Sequence, residues 1–106
     1  MDENVKEVED AGFAEAIRVG IVLVDFWAPR CGPCRLQMPI LEDVAAEIGD
    51  NATILKINID ENSLAPNLFD FKSIPTLILF KEGTPVRQMT GLQTKEVLVS
   101  AIAHVM

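Results

Sequence analysis

Apolar residues along this chain follow two periods. Ile21-Val22-Leu23-Val24-Asp25-Phe26-Trp27 and Thr53-Ile54-Leu55-Lys56-Ile57-Asn58-Ile59 are short, β-branched and nearly uninterrupted. Such runs read as strands buried on both faces, the habit of parallel sheets. Thr76-Leu77-Ile78-Leu79-Phe80 reads as a third strand. The turn residues Glu82-Gly83-Thr84-Pro85 follow, and residues 86–90 read as a fourth strand closing a hairpin. Residues 4–8 fit a weaker edge strand.

Between these runs the period is helical. From Cys31 or Gly32 to Ile48, the residues Ile40, Leu41, Val44, Ala45 and Ile48 make one apolar stripe. Pro33 suits the first turn, where a missing N–H costs nothing. Pro39 lies inside and predicts a kink. Gly49-Asp50-Asn51 is the expected stop. Thr94 is placed to cap a last helix, with Val97, Leu98, Ala101, Ile102 and Val105 inward. Asp10 is expected to cap a short helix over residues 11–19, with Phe13, Ala16 and Ile17 inward and Gly20 ending it. A further short helix fits residues 63–69. Strands joined through helices, then a hairpin, predict an α/β fold: a mixed sheet of four to five strands with helices on both faces.

Length and charge narrow the function. The 106 residues suit one domain spanning 1–106. Nine Lys and Arg against sixteen Asp and Glu leave a net charge of −7, which argues against a nucleic-acid or anionic-membrane binder. No apolar run approaches the ~20 residues of a membrane span. The acidic start Met1-Asp2-Glu3-Asn4 lacks the basic and apolar regions of a signal peptide, so a cytoplasmic location is expected.

Cys31 and Cys34 are the two cysteines, and they open the first long helix directly after a buried strand. A bridge across so short a loop restricts the unfolded chain little, so stability is not its purpose. In a reducing compartment a close pair is more often catalytic or metal-binding. Zinc needs more ligands than two Cys and the distant His104 supply. A c-type haem needs His after the second cysteine, where Arg35 stands. Two inert buried thiols are the plain alternative.

Residues i and i+3 of a helix have Cα atoms roughly 5 Å apart, within the ~4.4–6.8 Å that a disulfide accepts. The pair can therefore close and open with little backbone motion. A helix N-terminus favours thiolate at the first position. Cys31 is thus expected to be the exposed nucleophile and Cys34 the shielded resolving thiol. Asp25 interrupts an otherwise apolar strand. Either it is buried, with its pKa raised, or it turns to solvent at the strand end.

The segment Val24-Asp25-Phe26-Trp27-Ala28-Pro29-Arg30-Cys31-Gly32-Pro33-Cys34 closely resembles the active site of the thioredoxin family. Asn58-Ile59-Asp60, Ser73-Ile74-Pro75-Thr76, Phe80-Lys81-Glu82-Gly83 and Gly91 also fall where that family has them. One departure is clear: Arg30 stands where most members have a second Trp. The resemblance implies the thioredoxin fold and a dithiol that reduces substrate-protein disulfides through a mixed disulfide. It implies Asp25 as the base that deprotonates Cys34, with Lys56 as partner of that carboxylate. A lysine snorkelling to the surface is the alternative for Lys56.

For the substrate face, the resemblance implies a cis bond at Ile74–Pro75 and a substrate segment pairing with the Ile74 backbone as a borrowed strand. An ordinary trans proline starting a strand is the alternative. Gly91 is implied to admit a substrate backbone, Trp27 to pack beneath the site, and Arg30, Gly32 and Pro33 to flank it. Gly32-Pro33 between the cysteines is similar to the reducing members. No bound cofactor or metal is implied; reducing equivalents come from NADPH through a thioredoxin reductase. The other implied partners are disulfide-containing substrate proteins, met by a monomer. Arg30 keeps two further readings in view, a dedicated electron donor and a binding subunit for one partner.

Overall fold

The computed structural model describes residues 4–71 and 73–106. Its strands are β1 (Val5–Glu7), β2 (Ile21–Trp27), β3 (Thr53–Asn58), β4 (Thr76–Lys81) and β5 (Thr84–Thr90). Its α-helices are α1 (Asp10–Ala16), α2 (Gly32–Ile48), α3 (Leu64–Asn67) and α4 (Lys95–Val105). The strands form one sheet in the order β1-β3-β2-β4-β5. β1, β3 and β2 run parallel, β4 is antiparallel to β2, and β5 is antiparallel to β4. The mixed sheet and its helices on both faces match the expectation.

Alternation along β2 sorts the core into two layers. Leu23 packs with Leu41, Val44 and Ile48 of α2 and with Leu98 and Ile102 of α4. Val22, Val24 and Phe26 point the other way, against Phe13 of α1 and Ala65 of α3. β2 is therefore buried on both faces, which explains its unbroken apolar character. Asp25 shares the parity of Leu23, so it lies on the face covered by α2.

Several local expectations are corrected. Asp10 does not cap its own helix. It is the first residue of α1, and the N-cap position, Glu9, makes no side-chain capping bond. The Asp10 carboxylate instead accepts from the Leu64 and Ala65 N–H groups at 3.1 and 3.0 Å, capping α3 from 54 and 55 residues away. Side-chain capping depends on which N–H groups are near in space, and tertiary packing supplied a different set. α1 ends at Ala16, short of Gly20, which takes φ +77 just before β2. The hairpin turn is only Glu82-Gly83, with φ of +52 and +82, so β5 starts two residues earlier than expected. Positive φ at both central residues matches the twist of the flanking strands. Pro85 is tolerated because β5 is an edge. Pro39, where a kink is expected, is exposed within a helix that runs continuously from Gly32 to Ile48.

Candidate active site

β2 delivers the chain to a tight turn, where the Cys31 N–H donates to the Ala28 carbonyl at 3.1 Å. Cys31 is the N-cap of α2, with extended backbone angles, and its Sγ accepts from the Cys34 N–H at 3.2 Å. Gly32 and Pro33 form the start of the first turn, where proline sacrifices no hydrogen bond. A disulfide joins Cys31 to Cys34 across a Cα separation of 5.3 Å. Cys31 is less open than its expected exposure: it is 8% exposed, against 1% for Cys34. Loop packing shields the first sulfur, since the Ile74 carbonyl oxygen lies 3.7 Å from Cys31 Sγ.

The Ile74–Pro75 peptide bond is cis. The loop around it is tied on two sides. Thr76 Oγ1 donates to the Ser73 carbonyl at 2.6 Å, and the Gly91 N–H donates to the Pro75 carbonyl at 2.8 Å. Gly91 adopts φ +86, a conformation that favours glycine on backbone grounds alone.

A residue that sequence reasoning missed completes this frame. Gln37 is fully buried on α2. Its amide donates to the Gln93 carbonyl at 3.0 Å and accepts from the Gln93 N–H at 2.8 Å. It thereby holds the loop after Gly91 against the helix that carries the cysteines. The signal was its spacing: Gln37 continues the stripe of Leu41, Val44 and Ile48 by one turn.

Asp25 is fully buried, and neither carboxylate oxygen has a hydrogen-bond partner among the described residues. Burial pushes its carboxyl up to about 7, with the Lys56 ammonium pulling the other way. Asp25 and Lys56 are directly opposite in the β2–β3 register. The Lys56 side chain is mostly buried, 14% exposed. Its Nζ sits 5.4 Å from the centroid of the Trp27 ring and 3.9 Å from Glu7 Oε1.

Arg30 lies on the rim, largely exposed. Its Nε and Nη2 both reach Asp60 Oδ1 at 3.2 Å, so an adjacent carboxylate offsets its charge. Arg30, Ile59, Phe71, Ser73 and Ile74 line a shallow cleft of about 180 Å³ beside the disulfide. Arg35 donates to the Pro29 carbonyl at 2.7 Å, bracing the turn before Cys31.

A strand leading into a helix N-cap cysteine, with a second cysteine one turn on and a buried carboxylate on the strand, is the site of a thiol–disulfide oxidoreductase. Comparison with known proteins agrees. The thioredoxin family model matches residues 4–104. The chain is 50% identical over 98 residues to a thioredoxin of Alicyclobacillus acidocaldarius subsp. acidocaldarius, covering 92% of this chain and 93% of the relative. It is 51% identical over 98 residues to a thioredoxin of Chlamydia pneumoniae, covering 92% and 95%. A solved structure of a mutant thioredoxin from Halobacterium salinarum NRC-1 superposes with a TM-score of 0.82 at 30% identity, covering 97% of this chain and 91% of that one. The chain belongs to the thioredoxin family. Among the described residues, no helix is long and apolar enough to cross a membrane.

Proposed function

We propose that Cys31 and Cys34 reduce disulfides in substrate proteins by two successive exchanges. The Cys31 thiolate attacks one substrate sulfur, forming a mixed disulfide and releasing the other sulfur as thiolate. Asp25 takes the proton of Cys34, and the Cys34 thiolate attacks Cys31 Sγ. The Cys31–Cys34 bond closes, and the substrate leaves with both sulfurs reduced. Two electrons pass from the dithiol to the substrate, and two protons follow.

One observation carries the assignment of Asp25. Its carboxyl is buried beneath the helix that bears the cysteines, with its pKa at about 7. A base poised there can both accept and return a proton near neutral pH. The N-cap position of Cys31 supports its role as nucleophile, because the Cys34 N–H that reaches its sulfur favours a negative charge on it. Lys56 is the partner that tunes the carboxylate. The substrate binds across Ile74, Pro75 and Gly91 as an extended segment, flanked by Trp27, Arg30, Gly32 and Pro33. Reducing equivalents return from NADPH through a thioredoxin reductase, and the protein works as a cytoplasmic monomer.

The test times the two exchanges separately with a chromogenic disulfide. Asp25→Asn should slow decay of the mixed disulfide by on the order of 10²-fold or more, the usual range for a positioned base, and leave its formation nearly unchanged. In the wild type, decay should accelerate with pH around a midpoint near 7. Equal slowing of both phases would contradict the role given to Asp25. The Arg30–Asp60 pair on the rim favours a second reading, a donor dedicated to one partner. Slow turnover with every general protein disulfide but fast turnover with one partner would select it.

A further inference from the structure

The polar row on the α2 face of the sheet does not end at Lys56. β1 pairs with β3 in a register that sets Glu7 opposite Lys56, and β3 pairs with β2 so that Lys56 is opposite Asp25. Side chains opposite one another on adjacent strands share a face, with strands ~4.8 Å apart. Glu7, Lys56 and Asp25 therefore form one line across three strands, from the sheet edge to its buried centre. The Glu7 side chain is 39% exposed at the edge, and Asp25 has no exposure at all.

We propose that Glu7 is a positioning residue for the redox site, sharing Lys56 with Asp25 and so setting how readily the buried carboxyl gives up its proton. The proposal rests on Asp25 as the proton acceptor of the exchange. With Glu7 ionised and Asp25 protonated, the row holds one negative and one positive charge and is neutral. Ionising Asp25 leaves two carboxylates around a single ammonium, the inner one cut off from water. Were Lys56 to answer to Asp25 alone, the pair would be balanced with Asp25 ionised, and the carboxyl would hold its proton less well. Glu7 keeps Lys56 oriented toward the edge, at 3.9 Å, and its charge offsets that of the ammonium.

The surrounding charges do not override this arrangement. Across β4 the residue opposite Asp25 is the apolar Leu77. From α2 the site presents Cys31 and Cys34, which do not titrate when joined. Lys56 is the charged group that acts on Asp25, whereas Glu7 also feels Glu9 and Glu61, both of which oppose its ionisation. Partial burial raises the Glu7 carboxyl above its usual range, against the pull of Lys56, as befits the outer, more exposed member of the row.

The experiment follows the Asp25 carboxyl carbon by NMR as pH is varied, in the oxidised protein. Four forms are compared: wild type, Glu7→Gln, Lys56→Gln and the double variant. Glu7→Gln should lower the Asp25 midpoint by about 0.5–1 pH unit, because Lys56, released from the edge carboxylate, then answers to Asp25 alone. In the Lys56→Gln background the same change should move the midpoint by less than about a third as much, because the coupling runs through the lysine. An unmoved or raised midpoint in Glu7→Gln overturns the proposal. So does an equal drop with and without Lys56. This titration does not depend on Cys34, so it stands or falls separately from the mixed-disulfide kinetics that test Asp25 as a base.

Discussion

The two faces of the sheet are built on different principles. Beneath α1 and α3 the core is apolar and rich in aromatic rings. All five phenylalanines of the chain lie there, with neighbouring ring centroids 5.1–6.1 Å apart in tilted or edge-on contacts. Beneath α2 and α4 the core is aliphatic, and its active-site side admits Asp25, Lys56 and Gln37. The aromatic layer can be understood from burial and ring packing alone. On the other face, a buried carboxylate that finds no hydrogen-bond partner among the described residues lowers stability at neutral pH. Under the role proposed for Asp25, this is where the fold accepts instability for chemistry, and the well-packed phenylalanine face helps to offset it.

The comparison is sharpest where each face is broken in turn. Phe26→Ala should destabilise by ~3–5 kcal/mol, the usual cost of emptying a buried aromatic site. Urea unfolding measures it, and the pH response of Asp25 in the remaining folded protein should be unchanged. A shifted Asp25 midpoint in that variant would join the two faces that the structure separates.

Asp25→Asn should act in the opposite sense, and only above acid pH. Burial raises the folded carboxyl from an ordinary 3.8 to about 7. The native state therefore retains a proton that the unfolded chain releases. Stability is fully present below pH ~4 and is lost as pH rises through about 7. The gap corresponds to roughly 4 kcal/mol at about 1.36 kcal/mol per unit. Wild type should thus lose up to about that much stability relative to Asp25→Asn between pH 4 and pH 8. Parallel stability–pH curves for the two proteins would show that burial costs the carboxylate nothing.

Gln37→Leu should have the smallest effect of the three, about 1–3 kcal/mol, because it leaves the Gln93 N–H and C=O without their partner. Amide exchange should rise at Gln93. If a substrate chain binds at the loop beside Gly91 as proposed, reduction of protein disulfides should slow more than reaction with a small disulfide. Unchanged exchange at Gln93 would mean that the loop is held by other contacts.

Much of this was legible in the chain because short-range physics decides it. The stripes of α2 and α4, the Thr94 cap and the buried character of β2 follow from spacing and residue type, although Val97, expected inward on α4, is exposed. Thr94 Oγ1 does accept from the Val97 N–H, at 3.2 Å. The cysteine pair could be placed on a helix N-terminus from its position after a strand and before an amphipathic run. Asp10 illustrates the limit. It is a good capping residue near two helix starts, and local sequence could only consider the nearer one.

Residue spacing determined that this chain would make a layered α/β fold with a closable dithiol where a buried strand meets a helix. A disulfide across i and i+3 needs only helix geometry, and helix geometry is local. Tertiary structure alone decided what surrounds that dithiol. It brought Ile74 to Cys31, set Gln37 against Gln93, and turned Asp10 toward α3. It also aligned Glu7, Lys56 and Asp25 from three strands 18 to 49 residues apart in sequence. Their parity within each strand is local, but register between strands is a property of the assembled sheet, and the electrostatics of the site depend on register.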